Sequence, residues 1–186
     1  FVQNQDSLVR GIGDITIKKI IITGSCFEYK NKYGRKVERD KVNHIDEFLK
    51  FKLKIFNFLK KNFKSQYKYA WFRIFYAYGL NQRKGSLIPY LLNSLKNKNT
   101  VEVRNPNLSN DFIYTADIAK IINKSLEVNF KSGIYNLGSG KPKAIKGIIN
   151  AIENISKKKL KVKLGLNKDK KIFYANMNKT NKTFKN

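Results

Sequence analysis

The sequence is poor in the residues that build metal centres and disulfides. It holds one cysteine, Cys26, one histidine, His44, and one methionine, Met177, among 186 residues. A single thiol excludes an intrachain disulfide and points to a reducing, cytoplasmic setting. One histidine and one cysteine leave no His/Cys metal site to propose. No apolar run approaches the roughly 20 residues of a membrane-spanning helix. The densest runs, Ile20-Ile21-Ile22 and Ala70-Trp71-Phe72, have charged residues close by. Acidic residues are scarce too: 13 Asp+Glu stand against 39 Lys+Arg, a formal net charge of +26. The lysines are interleaved with asparagine along the whole sequence, as in Lys30-Asn31-Lys32 and Lys96-Asn97-Lys98, rather than gathered into one stripe. That spread argues against a dedicated nucleic-acid face, while an anionic small substrate would profit from the positive field.

What is present suffices for a folded core. Hydrophobic residues make up 41% of the sequence and aromatics 13%, which argues against disorder. Lys18 to Thr23 is a β-branched run closed by Gly24, the pattern of a buried parallel strand. A polar loop follows from Ser25 to Asn43. The spacing of Ile45, Phe48, Leu49, Ile55, Phe56 and Leu59 predicts a helix over 44–63. Tyr69 to Tyr76 reads as a second dense strand. Helices are predicted over 86–96, 115–128 and 144–155, and strands over 100–103, 112–114, 133–137 and 160–164. Val2 to Ile12 reads as a weak helix. Strands alternating with helices predict an α/β fold with parallel crossovers.

Two familiar motifs fail on inspection. Gly138-Ser-Gly-Lys141 is followed by Pro142, and Tyr135 stands where a phosphate loop needs its first glycine, so a turn with positive φ is the better reading. Ser25 and His44 could be drawn into a hydrolase triad, but no Gly-x-Ser-x-Gly elbow is present.

Several segments in fixed order carry more weight. These are Thr23-Gly-Ser25-Cys-Phe-Glu-Tyr29, Phe48-x-x-x-Lys52, Phe72-Arg73-Ile-Phe-Tyr-Ala-Tyr78-Gly79, Gly85-Ser-Leu-Ile-Pro89, Asp111-Phe-Ile-Tyr-Thr-Ala-Asp117 and Ile134-Tyr-Asn-Leu-Gly-Ser-Gly140. Together, over residues 17 to 176, they resemble the extended short-chain dehydrogenases/reductases, the NAD(P)-dependent epimerases and dehydratases of nucleotide sugars. The resemblance implies the later part of a Rossmann-type parallel sheet with a smaller α/β substrate-binding region. Residues 1–80 would be the C-terminal portion of the cofactor domain. Residues 81–186 would be mostly substrate-binding, with strands interleaving into the Rossmann sheet.

The resemblance also implies roles. In this family NAD or NADP takes a hydride from a sugar carbon while a tyrosine phenolate, supported by a lysine four residues on, takes the hydroxyl proton. By position Ser25 matches the Ser/Thr that hydrogen-bonds the sugar oxygen, and Lys52 the lysine, which also binds the nicotinamide ribose. Phe48 stands where the tyrosine belongs. Phe75 would lie against the cofactor; Tyr76, Ser86, Leu87, Arg104 and Asn110 would line the nucleotide-diphosphate sugar, with Tyr76 and Asn110 replacing the family's usual Asn and Arg. A homodimer through the helix carrying Lys52 is implied as well. The family's Gly-x-x-Gly-x-x-Gly turn is missing, since Gly11-Ile-Gly13 lacks both a third glycine and a preceding strand. The sequence opens on Phe1, so truncation at both ends is expected, with poor solubility and no NAD(H) binding for residues 1–186 alone. Three readings therefore stand: a piece of an active enzyme, a catalytically degenerate relative that binds or partners, and, behind both, a basic nucleic-acid-binding domain.

Overall fold

The computed structural model describes residues 18–43, 47–62, 67–165 and 169–185. The expected helix over Val2–Ile12, the Gly11-Ile-Gly13 segment and His44 lie outside them.

The architecture is α/β and built on parallel pairing. Strand β1 (Lys19–Ser25) runs into a short 3-10 turn (Cys26–Glu28), followed by β2 (Gly34–Lys36), helix α1 (Glu47–Asn62), β3 (Lys68–Ile74) and β4 (Tyr76–Tyr78). Then come α2 (Leu87–Asn97), β5 (Val101–Val103), β6 (Ser109–Tyr114), α3 (Thr115–Glu127) and β7 (Gly133–Leu137). Strand β8 (Pro142–Ala144), α4 (Ile145–Ser156), β9 (Val162–Leu164), β10 (Ile172–Ala175) and α5 (Asn178–Phe184) complete the described chain. One sheet has the order β1-β3-β7, all parallel. A second has the order β2-β10-β6-β4, with β8 antiparallel on β6, and β5 pairs with β9 in a third.

Strand β3 is central, and its sequence shows it. Ala70, Trp71, Phe72 and Arg73 are all buried, as expected when helices cover both faces of a parallel sheet. On one face Phe56 of α1 meets Trp71 edge-on, with centroids 5.1 Å apart. On the other, Phe72 packs against Tyr135 of β7 and Phe184 of α5, and Ile118 and Ile121 of α3 join the same core. A smaller core of Leu91, Val101, Val103, Ile149, Ile152 and Leu160 holds α2, α4 and the β5-β9 pair together.

The single strand predicted over Tyr69–Tyr76 is in fact two. Pairing with β1 and β7 stops at Ile74, the Phe75 amide donates to the Leu137 carbonyl at 2.9 Å, and Tyr76–Tyr78 then pairs with β6 in the other sheet. Phe75 is buried between them, its ring 5.3 Å from that of Phe173 and 6.3 Å from that of Tyr29. Uniform apolar character concealed the switch because both sheets bury what they receive. Strands β2, β8 and β10 and helix α5 also lie in stretches that the sequence reading left as loop. They are short, and their stability comes from partners distant in sequence, such as Phe173 opposite Gly34. The glycine turn after β7 does use positive φ, at Gly140 (φ 72), but β8 intervenes before α4 begins.

Candidate functional site

Ser25 is the last residue of β1 and the N-cap of the 3-10 turn. Its backbone is extended (φ -145, ψ 143) and its Oγ accepts the Phe27 amide at 3.1 Å. Glu28 answers by accepting the Ser25 amide at 2.8 Å, closing a reciprocal capping box. Since Oγ is already an acceptor, its O–H remains to donate outward. Ser25 is therefore both a cap and a candidate donor.

Beneath it lies a buried polar cluster that the sequence reading did not identify. Glu28 is buried and also accepts from Trp71 Nε1 at 3.0 Å and Arg73 Nε at 2.8 Å. Arg73 in turn donates to the Glu38 carbonyl at 2.9 Å and lies 4.6 Å from the centroid of the Tyr29 ring. Tyr29 donates its hydroxyl to Asn136 Oδ1 at 2.6 Å, which links the turn to β7. The Ser-x-x-Glu spacing at 25–28 was the available signal, being the signature of a capping box. Glycine precedes it by necessity: a Cβ on Gly24 would sit 2.2 Å from Trp71 Nε1 and 2.5 Å from Glu28 Oε1.

Helix α1 brings its i, i+4 pair to the end of β1. Lys52 Nζ donates to the Thr23 carbonyl at 2.6 Å and lies 4.9 Å from the Phe48 ring centroid. Burial lowers the Lys52 pKa, with the Glu28 carboxylate opposing that shift. Phe48 itself is 62% exposed. Phe48 and Lys52 thus meet beside the Thr23 carbonyl, two residues before Ser25, with the phenyl ring against the ammonium.

The remaining candidates are dispersed. Tyr76 is half-buried and meets Phe27 edge-to-face at 5.6 Å. Burial, reinforced by Cys26, pushes its phenol up to about 12. Asn110 is buried in β6, where its register partners are Phe173 and Lys143. The ring of Phe75 belongs to the main core. Ser86 is the N-cap of α2 without a side-chain capping bond, Leu87 packs against the smaller core, and Arg104 is exposed just after β5. Cys26 is buried with its thiol pushed up to about 12 by desolvation, so it is no nucleophile. Among the described residues no His/Cys/Asp/Glu group could hold a metal, and no helix is long and apolar enough to cross a membrane.

Asp111, quoted above only as part of a motif, is a structural keystone. It is fully buried and accepts from the Ser139 amide at 2.7 Å, Ser139 Oγ at 2.6 Å, the Gly140 amide at 3.0 Å and the Ala175 amide at 3.0 Å. The adjoining Gly138 has no room for a side chain, because a Cβ there would lie 2.4 Å from Asp111 Oδ2.

As to a dinucleotide, the Lys52 ammonium is a donor of the kind a ribose hydroxyl accepts from, and in this structure it donates to the Thr23 carbonyl. No glycine-rich strand-to-helix turn for the pyrophosphate occurs among the described residues.

Comparison with known proteins bears on the fold and the family. CDP-abequose synthase of Salmonella muenchen is 27% identical over 95 residues, covering 50% of this chain and 32% of that protein. A tyrosine-to-phenylalanine mutant of UDP-glucuronic acid 4-epimerase from Bacillus cereus, solved with UDP-4-deoxy-4-fluoro-glucuronic acid and NAD, superposes with a TM-score of 0.82 at 21% identity. That match covers 99% of this chain and 60% of the epimerase. UDP-N-acetylglucosamine 4-epimerase from Methanobrevibacter ruminantium M1, in complex with UDP-N-acetylmuramic acid, gives a TM-score of 0.80 at 22% identity, with 95% of this chain and 62% of that one covered. At such identities the solved structures show the fold alone, and this chain spans only part of each relative's length. The profile of the NAD dependent epimerase/dehydratase family matches residues 2–138, and the chain belongs to that family.

Proposed function

We propose that the complete protein acts on a nucleotide-diphosphate sugar with NAD or NADP, by hydride transfer at a sugar carbon, and that the end of β1 is its reacting end. One observation carries the reading: α1 delivers Lys52 to within 2.6 Å of the Thr23 carbonyl, two residues before Ser25. In this reading the Ser25 hydroxyl donates to the reacting sugar oxygen. The Lys52 charge favours the anion formed there and holds the nicotinamide ribose. The bound nicotinamide supplies the hydride acceptor. The proton released from the sugar hydroxyl then needs an acceptor, and a phenyl ring at position 48 offers none.

That gap favours a second reading, in which the chain binds its sugar nucleotide without efficient turnover. The specific support is the phenyl ring under the Lys52 ammonium at 4.9 Å. A charge stacked on a ring face is stabilised without a phenolate. In the similar epimerase, a tyrosine-to-phenylalanine mutant was solved with both a sugar nucleotide and NAD bound.

The test is to incubate the complete protein with nucleotide sugars deuterated at the ring carbons, in the presence of NAD or NADP. Deuterium appearing on the nicotinamide, or returned to the sugar with inverted configuration, supports the enzyme reading. Tight binding with no deuterium movement supports the binding reading. Absence of both refutes the function proposed.

We also propose a homodimer through α1. Phe51 leaves a large apolar ring exposed on this helix, which a second copy of α1 would cover. Sedimentation equilibrium of the complete protein should give twice the monomer mass, falling towards the monomer with Phe51→Glu. A wild-type monomer at micromolar concentration rules the dimer out.

A further inference from the structure

A cavity of about 600 Å³ is lined by none of Ser25, Phe48 and Lys52. It opens between α3, the turn after β7 and the end of α5, with the last residues of β4 and β6 as one wall. A volume of that order suits a small-molecule ligand. On the wall, the rings of Tyr78 and Tyr114 lie 5.5 Å apart at 45°, on strands that set the two residues opposite one another. Tyr114 stays 38% exposed, which leaves aromatic surface for a planar ring to stack on.

Four lysines line the same cavity: Lys120, Lys124, Lys141 and Lys185. Lys120 lies 3.6 Å from Asp117 and Lys124 3.2 Å from Glu127. Lys141 and Lys185 have no ion pair and no side-chain hydrogen bond among the described residues. Two positive charges are thus left over, which matches the roughly −1.5 to −2 of a phosphate monoester near neutral pH and exceeds the charge of a carboxylate. Both lysines spring from fixed backbone. The Lys141 amide donates to Ser139 Oγ at 3.1 Å, and Ser139 is held by Asp111 through its amide and its hydroxyl. Lys185 follows Phe184, whose ring packs 5.5 Å from those of Phe72 and Phe130. A frame set before the ligand arrives loses less binding energy to ordering.

We propose that this cavity is a further nucleotide site, which takes a mononucleotide with its base against Tyr114 and its phosphate on Lys141 and Lys185. It does not rest on the hydride-transfer reading, whose residues lie outside the cavity.

The complete protein is titrated by calorimetry with AMP, UMP, adenosine, uridine and ribose 5-phosphate, with excess NAD and UDP-glucose present to fill the reacting end. Wild type is compared with Tyr114→Ala, Lys141→Glu and Lys170→Glu, and circular dichroism checks folding. Lys170 is an exposed lysine that does not line the cavity. AMP or UMP should bind roughly tenfold or more tightly than its nucleoside and than ribose 5-phosphate, since charge and stacking each contribute on that order. Binding should weaken about tenfold in Tyr114→Ala and in Lys141→Glu, and stay unchanged in Lys170→Glu. Should Tyr114→Ala fail to fold, Lys141→Glu decides, because Lys141 is exposed and belongs to neither core. No binding of either mononucleotide, or binding that the cavity variants leave intact, overturns the site. Equal losses in Lys141→Glu and Lys170→Glu overturn it too, by tracing the affinity to diffuse charge. Ribose 5-phosphate binding as tightly as AMP and UMP overturns the nucleotide assignment. The nucleotide-sugar reading is decided separately, by the deuterium experiment.

Discussion

Phe48→Tyr in the complete protein should raise turnover by about 10²–10⁴, the usual contribution of a positioned general acid or base. Three features of the site set that expectation. Lys52 already stands over the ring, 4.9 Å from its centroid, so a new phenol would have an ammonium for a neighbour. An opposite charge at that range lowers a pKa by roughly 1–3 units, which brings the phenolate within reach near neutral pH. Ser25 already keeps its O–H free to donate, because Phe27 occupies its acceptor side. The added oxygen also costs little in stability, since position 48 is 62% exposed and needs no buried partner. The check is kcat for wild type and variant on a sugar nucleotide that binds both. A gain confined to kcat, with binding unchanged, means the framework is intact and only the proton acceptor is missing. No gain at all means that other parts of the machinery are lost and that the binding reading is correct. Robust wild-type turnover would refute the binding reading directly.

Asp111→Ala should be the most damaging single change to stability, costing about 3–5 kcal/mol. The carboxylate is fully buried and satisfies three backbone amides and one hydroxyl, drawn from Ser139, Gly140 and Ala175. Removing it strands those donors, each at a penalty of about 1–3 kcal/mol where water does not enter. Asp111→Asn should fall between wild type and alanine. It keeps the shape, but it turns an amide nitrogen towards backbone amides that can only donate. Urea unfolding of the three proteins gives the order. A loss below about 1 kcal/mol in Asp111→Ala would show that water replaces the carboxylate and that the cluster is not a keystone.

The sequence made the long elements legible and the short ones not. Strand β7 was found at its true limits, Gly133–Leu137, because glycine punctuates both ends of an apolar run. Helix α1 declared itself through the spacing of Phe48, Leu49, Ile55 and Phe56. By contrast β2, β8 and β10 are three or four residues long and exist because partners far along the chain pair with them. No local window contains that information. The site divides in the same way. Ser25, Phe48 and Lys52 could be registered by spacing, and the fold sets Lys52, with Phe48 beside it, on the carbonyl two residues before Ser25. The Glu28–Arg73 pair could not be seen, since its members are 45 residues apart and look like two more surface charges in a charged chain. Its burial, at 4% and 5% side-chain exposure, marks it as structural. Removing one partner from such a pair leaves a charge without its complement, whereas replacing both by apolar groups need not harm stability. Asn110, which the motif assigns to the ligand, is buried in β6 opposite Phe173 and Lys143.

Phe75 gives the molecule a mechanical property. One residue separates two strands that belong to different sheets, and its amide and ring are both committed, to Leu137 and to the rings around it. A joint that short has no slack, so neither sheet can swing away from the other without breaking the main core. The described chain should therefore lose its structure in one cooperative step rather than lobe by lobe. A change made in one sheet, such as the loss of Asp111 from β6, then lowers the melting point of the other sheet by the same amount.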